Sequence, residues 1–218
     1  MKPQSGDPSI REILAILFDV DGVLVDATDW HFDSFNRALA PFGATISRQQ
    51  HEEEFIGLPT AAKIDKLVAR GVLTANVGAA VLEAKHLYFR EILRARCRQN
   101  SVGRQVLGSL RANGFVLAAV SNAIRQSVVE MLDLSGLTSY LSAIVCGDDV
   151  AHPKPDPEIY ISCSTLLGIR PDMCLAIEDG KYGIQAAMAA GMRVLTVKSI
   201  GDVNLGNIWA ALRRRGPS

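Results

Sequence analysis

Five short apolar runs decide what this chain can fold into. They read ILAILF (13–18), FVLAAV (115–120), AIVC (143–146), CLAI (174–177) and VLTV (194–197). Each is too continuous for a strand with one wet face, and amphipathic helical patterns separate the last four. Such alternation calls for parallel strands covered by helices on both sides. The predicted fold class is α/β, a doubly wound Rossmann-like parallel sheet of about five strands.

The stretch between the first two runs obeys a different period. Phe32, Phe35, Leu39 and Phe42 recur at spacings of three and four, as on an amphipathic helix. SRQQ from Ser47 has the form of a capping box opening a second helix. Ile64, Leu67 and Val68 mark a third that stops near Gly71, and Val77, Val81, Tyr88 and Ile92 a fourth. No strand is expected there. The division predicted is a core of residues 1–25 and 99–218 with an inserted α-helical domain at 26–98. In the core, helices are expected through Val102–Leu110, closed by Asn113-Gly114, through Val128, Val129 and Leu132, and through Ile159, Cys163 and Leu166. In GIQAAMAAG, the small residues Ala186, Ala187, Ala189 and Ala190 let a helix lie close to the sheet.

Composition narrows the partners. Of 218 residues 48% are hydrophobic and 21% charged, enough for a sizeable core, and the formal net charge of +0 offers no field for nucleic acid. The basic run Arg213–Arg215 reads as a solvated helix end. MKPQSGDPSI lacks the apolar segment of a signal peptide, and no apolar run approaches the ~18 residues of a membrane span. Cys97, Cys146, Cys163 and Cys174 have no C-x-x-C spacing and read as buried apolar residues in a reducing compartment. The expectation is a cytoplasmic protein, a monomer with a dimer as the alternative, without nucleic-acid or membrane partners.

In an open parallel sheet, ligands bind beyond the carboxyl ends of the strands. Just past the first run come Asp19, Asp21 and Gly22; past the second, Ser121 and Asn122; past the third, Lys154 within HPKPDPEIY; past the fourth, Glu178 and Asp179. Four carboxylates on one rim repel unless a cation joins them, and hard oxygen ligands suit Mg²⁺. Ser121 and Lys154 offer a hydroxyl and a point charge to a transferring phosphoryl group. One aspartate is a candidate nucleophile, forming an aspartyl-phosphate, and a second carboxyl can protonate the leaving group and then activate water. The expectation is that a metal holds Asp19 ionised while Asp21 takes the proton, and that Gly22 lets backbone N–H groups approach the phosphate. Each signal alone has a plainer reading: D-x-D as turn chemistry, Ser-Asn as a helix cap, His31 as a packed helix-face histidine. Their joint placement at successive strand ends favours a site.

These residues resemble the motifs of the haloacid dehalogenase superfamily, in its phosphatase/β-phosphoglucomutase-like branch with a helical cap after the first strand. The matching stretches are DVDGVLVD (19–26), VSN (120–122), KPDPEIY (154–160) and IEDGKYGIQAAMAAGM (177–192). The resemblance implies a Mg²⁺-dependent phosphomonoester hydrolase acting on a small phosphorylated metabolite. It implies Asp19 as nucleophile, Asp21 as general acid and base, and Ser121 and Lys154 as phosphoryl ligands. Mg²⁺ would be held by Asp19, Asp179 and the backbone carbonyl of Asp21, with Glu178 assisting, and residues 26–98 would be a mobile cap. Gly22, Asn122, His31, Thr60 and Lys63 are the candidate substrate-binding residues.

Departures from the pattern choose among members. Dehalogenases lack an acid at the position of Asp21. Phosphonate-cleaving relatives replace it too and use a cap lysine, a role Lys63 is not expected to fill. His31, twelve residues past Asp19, matches the cap histidine of β-phosphoglucomutase, but Thr60 stands where the mutase has an arginine for its substrate's second phosphate. Hydrolysis is therefore expected and a phosphosugar mutase is the alternative. Phospho-accepting signalling domains share the acidic pair and lysine but not the helical insertion.

Overall fold

A computed structural model describes residues 13–213; the first ten residues and Arg214 and Arg215 lie outside them. The strands are β1 (Ala15–Phe18), β2 (Val116–Ser121), β3 (Ala143–Cys146), β4 (Cys174–Glu178) and β5 (Arg193–Thr196). They form one parallel sheet in the order β3-β2-β1-β4-β5, with Ala15 in register with both Val116 and Cys174. The chain winds outward from β1 to β3, then crosses to β4 and on to β5. The order reverses beside β1, where such sheets open a crevice at the strands' carboxyl ends.

The helices are α1 (Thr28–Leu39), α2 (Arg48–Gln50), α3 (Thr60–Ala69), α4 (Gly78–Arg96), α5 (Ser101–Ala112), α6 (Arg125–Ser135), α7 (Glu158–Leu167), α8 (Lys181–Ala189) and α9 (Leu205–Arg213). Alternate strand residues serve opposite faces. Ile16, Phe18 and Leu117 pack with Leu107 and Leu110 of α5 and Met131 of α6. Ala15, Leu17 and Val120 pack with Ile159 and Cys163 of α7 and Ala186 of α8. Each large apolar side chain fully buried this way contributes about 1.5–3 kcal/mol. The helical region between β1 and β2 has a core of its own around Phe35, Phe55, Ile64 and Val81. Among the described residues no helix is long and apolar enough to cross a membrane, and all four cysteines are buried free thiols.

Several expectations shift by a turn. Ser47 does form a capping box with Gln50, but only one α-helical turn follows before the backbone widens into a π-helical turn at His51–Phe55. Phe42 is 39% exposed, because α1 ends at Leu39 and the tighter turn Ala40–Phe42 rotates its ring off the buried stripe. Leu166 faces solvent: the buried arc of α7 runs over Ile159, Tyr160, Cys163 and Ser164, and Leu166 falls outside it. Of the four alanines expected against the sheet, Ala186 and Ala187 are buried and Ala189 is exposed. Asn113-Gly114 ends α5 as expected, Gly114 taking φ 89°.

Candidate active site

Each rim residue owes its place to a strand end. The Asp19 N–H prolongs the ladder by donating to the Ile177 carbonyl at 3.0 Å. The chain then turns so tightly that Asp21 bridges back to Val25. Gly22 makes that turn at φ 85°, and its N–H donates to the Val25 carbonyl. A Cβ there would lie 2.0 Å from Asp179 Oδ2. Gly22 therefore makes room for the Asp179 carboxylate, and its own N–H is taken up by the Val25 carbonyl. Gly183 acts similarly at the start of α8, where a Cβ would lie 2.0 Å from Glu178 Oε1.

Lys154, 4% exposed, occupies the middle of the acidic cluster. Its Nζ donates to Asp19 Oδ1 at 2.6 Å, to Glu178 Oε1 at 2.6 Å and to the Val120 carbonyl at 2.9 Å. Burial disfavours its charge, but Asp19 and Glu178 outweigh that and raise its pKa above the ordinary lysine value. The Tyr160 hydroxyl also donates to Glu178 Oε1, at 2.5 Å. Nothing in the spacing of KPDPEIY points to this bond.

Oxygens of Asp19, Glu178 and Asp179 lie within 4.8 Å of one another. Among the described residues Lys154 is the one cation bonded to Asp19 and Glu178, so the three carboxylates leave a charge that a divalent ion would neutralise. Their acidities register the deficit. Burial, with the charge of Glu178, raises Asp19 well above the usual range and pushes Asp179 up to about 6. All-oxygen donors of this kind fit Mg²⁺.

Asp21 sits on the other side of the balance. Its Oδ1 accepts from His31 Nε2–H at 2.8 Å, and Ser121 Oγ lies 3.5 Å from its Oδ2. Behind the imidazole, Lys85 Nζ donates to His31 Nδ1 at 3.0 Å, which sets the tautomer. Burial and the charge of Lys85 push His31 down to about 4, so the ring is neutral near pH 7. Burial opposes ionisation of Asp21, but His31 and Lys85 outweigh it and hold its carboxyl below the usual range. Without a cation the order of acidity is therefore the reverse of that expected from the sequence. Asp19 carries the cost of its carboxylate neighbours, while Asp21 has donors.

Lys85 is the residue sequence reasoning missed. It falls on the stripe Val81, Lys85, Phe89, Leu93, all buried at four-residue spacing. A lysine in register with three apolar residues was the available signal. His31, a candidate substrate ligand, lines the cavity, stacks on Phe89 at 4.1 Å and bonds to Asp21. Asn122 is likewise engaged: its amide donates to the carbonyls of Gly57 and Lys154 and accepts from the Lys154 N–H. That contact with Gly57, and Lys181 donating to the Glu53 carbonyl at 3.1 Å, tie the rim to the helical region. Between them lies a cavity of about 270 Å³, lined by Asp19, Asp21, Ser121, Lys154, Thr60 and Lys63 among others.

The acidic cluster makes a testable statement about pH. Asp179 has a folded pKa of about 6 against an ordinary 3.8. The folded protein therefore holds a proton that the unfolded chain releases between those values, and ionised Asp179 weakens the fold above pH 6. A divalent cation offsets that only where Asp179 is ionised. Mg²⁺ at 100 times its Kd should stabilise by about 2.7 kcal/mol at pH 7.5, a rise in Tm of roughly 5–10 °C, and by clearly less at pH 5. Thermal melts showing the same rise at both pH values would count against these carboxylates as the ligands.

Comparison with known proteins gives a consistent picture. The model of the haloacid dehalogenase-like hydrolase family matches residues 16–197. A phosphoglycolate phosphatase of Cupriavidus necator is 32% identical over 187 residues, covering 84% of this chain and 80% of that one. A phosphorylated carbohydrates phosphatase of Thermotoga maritima is 28% identical over 193 residues, covering 86% and 87%. The fold is similar to that of a β-phosphoglucomutase from Clostridium difficile, with a TM-score of 0.81 at 20% identity over 92% of this chain and 97% of that one.

Proposed function

The chain belongs to the haloacid dehalogenase-like hydrolase family and is an enzyme of its phosphatase-like branch; from that premise we propose that it hydrolyses small phosphorylated metabolites, sugar phosphates or similar, through an aspartyl-phosphate on Asp19. The observation that carries this reading is the convergence of Asp19, Asp21, Ser121 and Lys154 on one cavity beside the acidic cluster of Glu178 and Asp179. Asp19 Oδ attacks phosphorus as the bond to the alkoxide breaks; Asp21, which takes a proton from solvent when the anionic ester enters beside it, gives that proton to the leaving oxygen. Asp21, now ionised, takes a proton from water. The water oxygen attacks phosphorus and frees Asp19 and inorganic phosphate.

The other residues have parts in the same scheme. Ser121 and Lys154 donate to the phosphoryl oxygens; for this Lys154 exchanges one of its present acceptors. Asp19, Glu178, Asp179 and the backbone carbonyl of Asp21 would hold Mg²⁺, which when bound would supply the positive charge that lets an anion attack an anionic ester. His31, backed by Lys85, keeps the Asp21 carboxyl oriented. We assign residues 26–98 the part of a cap, whose contacts through Gly57 and Glu53 exclude water from the cavity.

Hydrolysis is favoured over mutase chemistry by the helical wall. A mutase must grip a second phosphate firmly, for which a bidentate arginine is suited. Among the described residues no arginine lines the cavity, and Thr60 offers one neutral hydroxyl. Expected, then, is net release of inorganic phosphate from monophosphates with Mg²⁺ and no bisphosphate primer. The test incubates the enzyme with β-glucose 1-phosphate and a trace of the 1,6-bisphosphate. Rapid conversion to glucose 6-phosphate with little free phosphate would establish a mutase instead.

A further inference from the structure

The helical wall of the cavity carries charge that the scheme above leaves unused. The carboxylates lining the cavity, Asp19, Asp21, Asp148, Glu178 and Asp179, all come from the strand ends and their loops; the helical region contributes none. It contributes Lys63 instead. This side chain is 5% exposed and, among the described residues, makes no hydrogen bond and no ion pair. Burial pushes its ammonium down to about 8, with only the charge of Asp21 opposing. A buried ammonium without a partner is costly unless something arrives to pair with it.

Two neighbours point the same way. His51, 1% exposed on the π-helical turn, lines the same cavity, and among the described residues both its ring nitrogens lack a hydrogen-bond partner. The Thr28 backbone is near enough to act on the ring without closing such a bond. Unpaired buried groups of this kind are rare and mark a missing partner. Lys63 stands at the start of α3, a ten-residue helix whose N-terminus has no side-chain cap, and Pro59, Thr60 and Ala61 of that end also line the cavity. Its free N–H groups favour an anion.

We propose that Lys63, His51 and the first turn of α3 form a second anion subsite, which selects phosphomonoesters bearing a carboxylate on the end away from the phosphoryl group. The inference rests on the phosphatase reading and narrows its substrate class. A point charge, an imidazole N–H and helix-end N–H groups suit a monoanionic carboxylate. A second phosphate dianion would call for the planar fork of an arginine, and none among the described residues lines the cavity.

The test uses a pair differing only in this group, glycerate 3-phosphate and glycerol 3-phosphate, with p-nitrophenyl phosphate as a generic ester. Wild-type enzyme should prefer the glycerate ester by at least ~10-fold in kcat/KM, the scale of one charged hydrogen bond. In Lys63→Met and Lys63→Gln that ratio should collapse toward one. Removing an unpaired buried charge should leave the Tm equal or higher, which separates the effect from misfolding. Binding is read independently by calorimetry in Asp19→Asn protein, where adding Lys63→Met should weaken glycerate 3-phosphate at least ~10-fold more than glycerol 3-phosphate. Selective binding with no phosphate released from any ester would overturn the phosphatase reading and leave the subsite standing. A wild type that releases phosphate from all three without preferring the carboxylate, or a preference that survives loss of Lys63, would overturn the subsite. A stronger preference for a bisphosphate over glycerate 3-phosphate, lost with Lys63, would overturn the carboxylate assignment.

Discussion

Asp19→Asn is expected to lower turnover at least ~10³-fold while leaving the protein folded. A neutral amide cannot attack phosphorus, and the acid two residues on cannot substitute because His31 holds it. The stability effect has a definite sign. Asp19 is crowded by Glu178 and Asp179, so losing its charge relieves repulsion when no metal is present. The metal-free Tm should therefore stay level or rise, and the Mg²⁺-induced rise should shrink because one ligand is gone. Asp19→Asn retaining more than about a percent of wild-type phosphate release would remove Asp19 from the nucleophile's role.

Lys154→Met should be the most damaging single change to the fold at this site. It deletes the cation that Asp19 and Glu178 share and leaves two buried carboxylates facing each other, beside a Val120 carbonyl without its donor. Breaking a buried pair from one side costs about 3–5 kcal/mol, a fall in Tm of roughly 10 °C for a chain of this size. Mg²⁺ should recover part of that loss, since it neutralises the same carboxylates. Phosphate release should still fall by ~10² or more, because the phosphoryl group has lost its fixed positive partner. A metal-free melt indistinguishable from wild type would mean that the cluster is solvated and the argument from burial fails.

These two predictions draw on different sources. That Asp19 and Lys154 belong to one site was legible in the sequence, since each follows an apolar run that could only be a strand of a covered parallel sheet. Strand ends in such a sheet share a rim whatever the loops do. What each residue is bonded to was not legible. Asn122 was read as a substrate ligand and is engaged with the Gly57 and Lys154 carbonyls. Gly22 was read as letting N–H groups approach a phosphate, and it makes room for the Asp179 carboxylate. Lys85 was passed over and stands behind His31.

The chain's periodicity by itself determined the α/β class, the five parallel strands, the helical insertion and the carboxylates at the rim. Those follow from local pattern: a continuous apolar run cannot be solvated on either face, and a helix must bury its stripe. The order of acidity at Asp19 and Asp21, the full engagement of Lys154 and the unpaired state of Lys63 were decided only by tertiary structure. Proton affinity depends on which charges and donors stand within a few ångströms in a low-dielectric interior. Those neighbours arrive from residues 31, 85, 154 and 178, which no local spacing relates to one another.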